Sequence, residues 1–139
     1  MVYRFLEHTA DVKFQAEGES LEQAFLESAL ALREVIAGKI AVVPVERKEI
    51  AVKGTDINSL LYSFLEEFLF MLDSEGFLFS EIESIDMDKE NFTLKAAVLG
   101  DKADNYNFTN DVKAVTYNDM FVKLDEDKKK WVCQVVLDV

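Results

Sequence analysis

Apolar and polar positions alternate at two different periods along this chain, and the changes of period mark its elements. Val2 to Leu6 is apolar and aromatic apart from Arg4 and predicts a strand. Glu7-His8-Thr9-Ala10-Asp11 breaks the run with polar and small residues. Val12, Phe14 and Ala16 then alternate with Lys13, Gln15 and Glu17, the period of a half-buried strand, so Asp11 lies at the mouth of that strand. Gly18-Glu19-Ser20 closes it. Ser20 followed three residues later by Gln23 predicts a capping box, in which hydroxyl and amide each satisfy an unpaired backbone N–H. Spacings of three and four then take over. Leu21, Ala24, Phe25, Ser28, Leu32, Val35 and Ile36 form one helical stripe, Glu22, Glu27, Arg33 and Glu34 lie on the outer face, and Gly38 is the stop.

Pro44, the only proline, sits in the connection to a strand at Arg47 to Lys53. Thr55 or Asp56 caps a second helix, whose stripe of Ile57, Leu60, Leu61, Phe64, Leu65, Phe68, Leu69 and Leu72 is wide enough for a central helix packed on a sheet. It runs to about Asp73 and stops near Gly76. Phe77 to Met87, Phe92 to Leu99, Val112 to Leu124 and Trp131 to Leu137 read as strands. The polar turns at Asp88 to Asn91 and Asp125 to Lys128 join neighbours as antiparallel hairpins, and Gly100 to Asp111 reads as a loop. The order predicts an α+β fold with two main helices on a mostly antiparallel or mixed β-sheet.

Composition narrows the function. At 139 residues, residues 1–139 are expected to form one domain. Acidic residues outnumber basic ones 27 to 15, for a net charge of −12, which argues against direct nucleic-acid binding and favours a basic partner or a cation. Cys133 is the only cysteine and lies in an apolar strand, so an intrachain disulfide is excluded and a buried, inert thiol is expected. The N-terminus lacks a signal-peptide pattern and no apolar run spans a membrane, so the expected compartment is the cytoplasm. The Asn-Phe-Thr triplets at Asn91 and Asn107 are therefore read as chance.

Catalytic signatures are scarce. The chain has no P-loop, no GxGxxG, no GxSxG and no CxxC, and His8 is its only histidine. The informative residues stand at the two ends. The Asp138 side chain and the main-chain carboxylate of Val139 are adjacent negative groups, and Asp11 adds a third if the first and last strands are neighbours. Three converging carboxylates need a cation among them, and hard oxygen donors suit Ca²⁺ or Mg²⁺. The alternative is a solvated, frayed terminus.

The motifs His8-Thr9-Ala10-Asp11-Val12, Leu61-Tyr62-Ser63-Phe64-Leu65-Glu66-Glu67, Leu72-Asp73-Ser74-Glu75-Gly76, Val112-Lys113-Ala114-Val115-Thr116-Tyr117 and Asp138-Val139, in this order, resemble the archease family. The resemblance implies an archease-like α+β domain that is not itself an enzyme. It implies a partner, the RtcB-type tRNA-splicing RNA ligase, whose guanylylation and multiple turnover it promotes and whose nucleotide use it can broaden. It also implies a metal site at Asp11, Asp138 and Val139 for a divalent cation, calcium first and magnesium second. Lys113 and His8 are the residues it implies for partner activation. The chain departs from the family pattern at Gly100-Asp101 and at Asn118, where histidine is common. Two other functions compete: a metal-dependent hydrolase or nuclease using Asp11 and Asp138, and a general chaperone.

Overall fold

The computed structural model describes residues 2–7 and 11–139. Among these residues seven strands and two long helices follow in the order β1 (Val2–Leu6), β2 (Val12–Gly18), α1 (Leu21–Ala37), β3 (Glu46–Lys53), α2 (Ile57–Glu75), β4 (Phe77–Asp88), β5 (Thr93–Lys102), β6 (Ala114–Asp125) and β7 (Lys130–Asp138). This is the predicted α+β architecture. Every pairing among the described residues is antiparallel, and the strands divide between two sheets, ordered β1-β2-β7-β6 and β3-β5-β4. The division itself is invisible in the hydropathy pattern, because period two reports a strand's faces and not its neighbours.

The helix ends are set chemically. The Ser20 hydroxyl accepts the Gln23 N–H at 3.0 Å. The other half of the expected box does not form: the Gln23 amide donates to Glu27 instead, at 3.0 Å. Glu27 is only 3% exposed, so it does not lie on the outer face where the pattern put it. On α2 the cap is reciprocal. The Asp56 carboxylate accepts the Ser59 N–H at 2.7 Å, and the Ser59 hydroxyl accepts the Asp56 N–H at 3.1 Å. Gly76 ends α2 in the left-handed conformation at φ 62°, its N–H turned to the carbonyls of Leu72 and Met71.

The two helices and both sheets share one apolar core. Phe25 of α1 and Phe64 of α2 stack at 5.9 Å, and Phe68 packs on Phe79 of β4 at 4.3 Å. α1 lies on β2 and β7, while α2 touches β6 as well as β3 and β4, which joins the sheets. The expected loop after Gly100 begins later, since β5 runs on to Lys102 and is followed by a short 3-10 turn at Ala103–Asn105. No helix among the described residues is long and apolar enough to cross a membrane.

One irregularity bears on the surface. The β6–β7 register holds at Thr116 with Val136 and resumes at Phe121 with Gln134, so Tyr117, Asn118, Asp119 and Met120 stand opposite Val135 alone. Asp119 has φ 53°, a left-handed conformation that Asp tolerates better than most residues. The bulge sends its side chains different ways. Met120 is buried, its carbonyl accepting from the Asn58 amide of α2, and Tyr117 stacks on Tyr62. A bulge of this kind also blunts an edge strand against adventitious pairing.

Candidate functional site

Antiparallel register brings the chain's two distant acidic positions together. β2 opens with Val12 opposite Leu137, and β7 ends one residue later at Asp138. Asp11 precedes β2 by one residue, so it and Asp138 lie at the same end of the β2–β7 ladder. On the other side of β7, Asp138 pairs with Ala114, and the Lys113 N–H donates to the Asp138 carbonyl at 2.7 Å. Asp11, Asp138 and Lys113 therefore occupy one end of the four-stranded sheet, with Val139 beside them. Asp138 and Lys113 are exposed, and Asp11 and Val139 are half-buried. His8 lies outside the described residues.

Asp11 also lines an open groove of about 900 Å³ with Phe5, Leu6, Glu7, Val12, Glu34 and Val35. Among the described residues its charged lining is acidic: Glu7, Asp11 and Glu34. Glu34 reaches it from the last turn of α1, where no sequence signal connects it with Asp11. The Tyr3 hydroxyl donates to Glu34 at 2.8 Å, and burial with this bond pushes the Tyr3 phenol up to about 12, so it stays protonated and neutral at physiological pH. A concave surface of one sign concentrates counter-ions.

The donors fit a hard divalent cation in kind: Asp11 and Asp138 offer carboxylate oxygens, and Val139 a main-chain oxygen. Among the described residues no group of three His, Cys, Asp or Glu side chains is placed to hold a metal, so two side chains and a main-chain group would have to do it. Cys133 is excluded as ligand or nucleophile. It is fully buried, and desolvation pushes its thiol up to about 12, leaving no thiolate at physiological pH. Behind the site, a polar chain crosses the sheet. Arg4 donates to Gln15 at 2.8 Å, Gln15 to Gln134 at 2.8 Å, and Gln134 to the Asp119 carbonyl at 2.7 Å. These bonds fix the strands that carry Asp11 and Asp138 to the β6 bulge.

The motif pattern and the fold agree with known proteins. The model of the Archease protein family matches residues 3–139. The chain belongs to the archease family. "Protein archease" of Pyrococcus abyssi is 40% identical over 136 residues, covering 96% of this chain and 95% of that protein. "Protein archease" of Methanosarcina barkeri is 36% identical over 141 residues, covering 99% and 95%. The solution structure of Methanobacterium thermoautotrophicum protein 1598 superposes with a TM-score of 0.82 at 34% identity, covering 99% of this chain and 98% of that one. A family of this kind was legible in the sequence from its motifs. Glu34 in the groove and the pairing of Tyr62 with Tyr117 were not, since each depends on contacts between distant elements.

Proposed function

We propose that this chain is a non-catalytic activator of an RtcB-type tRNA-splicing RNA ligase. In this reading it works in the cytoplasm, promotes guanylylation of the ligase and hence multiple turnover, and broadens the ligase's nucleotide use. What supports the reading is membership of the archease family, with Asp11 and Asp138 at the same end of the β2–β7 ladder. Asp11, Asp138 and Val139 would hold a divalent cation, calcium before magnesium. Bound there, the ion supplies concentrated positive charge to an otherwise negative surface. The chain's own contribution would be placement: Asp11 leads into β2, Asp138 ends β7, and the Lys113 N–H bonds the Asp138 carbonyl. The exposed Lys113 side chain would meet an acidic group of the ligase or its nucleotide, and His8, three residues before Asp11 in sequence, would act with it.

Guanylylation of an RtcB-type ligase, measured with and without this protein at substoichiometric ratio, tests the reading. Stimulation is the expected result, and no stimulation overturns it. Asp11→Ala and Asp138→Ala are each expected to abolish stimulation and to weaken calorimetric Ca²⁺ binding. Both variants should stay folded, because removing one carboxylate relieves like-charge repulsion in the metal-free protein. Unchanged Ca²⁺ affinity in both would remove the metal site, and normal stimulation by both would remove its role. RNA turnover by this chain alone with Mg²⁺ would point to the hydrolase instead.

A further inference from the structure

The solvent face of α2 is aromatic and acidic together. Tyr62, Glu66 and Phe70 follow at intervals of four residues and so share one side of the helix. Glu66 beside it, with partial burial, raises the Tyr62 phenol above its ordinary value. Tyr117, delivered by the β6 bulge, lies flat on Tyr62 with ring centroids 4.4 Å apart and planes 11° from parallel. Phe70 and Tyr117 nevertheless remain 55% and 53% exposed. α2 carries Glu66, Glu67, Asp73 and Glu75 and not one Lys or Arg. Its last turn holds Asp73 and Glu75 where the helix dipole favours cations, and Glu75 pairs with Lys48 of β3 at 3.1 Å.

Exposed aromatic rings on a face of purely negative charge match one chemistry well. A guanidinium stacks on an aromatic face and pairs with carboxylates at the same time. Aromatics and Arg are also the residues enriched at the centres of protein interfaces. Single-stranded nucleic acid stacks on aromatic platforms too, but those platforms lie in positively charged grooves, and this one has no positive charge on its helix. We propose that the Tyr62–Tyr117 stack, Glu66 and Phe70 form a docking surface for an arginine-bearing face of a basic protein partner. The proposal rests on the reading above, in which that partner is the ligase. The surface is separate in role from Asp11 and Asp138: it holds the partner, and they act on it.

Binding to an RtcB-type ligase, measured by interferometry at low and high salt, tests this on the full chain. Tyr117→Ala and Phe70→Ser are expected to weaken binding by roughly tenfold or more each. Both residues are exposed, so circular dichroism should show folded protein. Tyr117→Phe keeps the ring and should bind like wild type, and Glu66→Lys should weaken binding most at low salt, where charge attraction is least screened. Asp138→Ala should bind normally while failing to stimulate. Equal binding by wild type, Tyr117→Ala and Phe70→Ser overturns the surface and leaves the activator reading standing. A wild type that neither binds nor stimulates overturns both together. Binding of a labelled single-stranded RNA that is lost in Tyr117→Ala would overturn the assignment to a protein partner.

Discussion

Leu65 has no exposed surface and sits in the wide apolar stripe of α2. Leu65→Ala should destabilise the fold by about 2–5 kcal/mol in urea melts, the range for emptying a buried leucine site; a change under about 0.5 kcal/mol would place it outside the core. Cys133 makes a different residue-scale prediction. Its folded thiol is raised from 9.0 to about 12, so folding favours the protonated form. A raised folded value gives stability that is fully present below the unfolded value and is lost as pH climbs through the folded one. Tyr3, raised from 10.0 to about 12, acts in the same direction. Stability should therefore fall between pH 9 and 12, and Cys133→Ala should flatten the fall. Equal slopes in wild type and variant would refute the assignment.

At the scale of the element, the caps show how local chemistry ends a helix that packing then holds. The Asp56 carboxylate satisfies the Ser59 N–H. Asp56→Ala should lower stability by about 1 kcal/mol, with a range of about 0.5–2. Differential thermal melts would test it, and Asp56→Asn should recover most of the loss. Gly76, at φ 62°, is a second such point, since a side chain there must adopt the left-handed conformation. Both caps were legible as sequence signals, because a cap needs only residues within one turn of each other. The failure at Gln23 is equally local: its amide found Glu27 one turn on, and the buried Glu27 gained a donor. The β6 bulge was not legible, since Tyr117 to Met120 are drawn out by partners on α2, β7 and β2 far away in sequence.

At the scale of the whole molecule, charge and metal should be separable. A chain with net charge −12 repels itself, and any salt relieves part of that repulsion. A bound cation does more, because it stabilises only the folded form in proportion to its occupancy, by about 2.7 kcal/mol at a hundredfold excess over Kd. Ca²⁺ should therefore raise the melting temperature above NaCl at matched ionic strength, and Asp138→Ala should lose the difference. A Ca²⁺ shift no larger than the NaCl shift in wild type would tell against the site.

By itself the sequence determined the two helices, the strands, the caps and the buried thiol, because each is written in a period or in neighbours within a turn. It also carried the family, through motifs spread in order from His8 to Val139. Tertiary structure alone decided that the strands split into two sheets, that β2 pairs with β7 so that Asp11 and Asp138 share one end of that pair, that Glu34 joins the groove, and that Tyr117 lies on Tyr62. The physical reason is the same each time. Strand partners and helix docking are chosen by how the whole apolar surface closes into one core, and that choice is not a property of any stretch of chain taken alone.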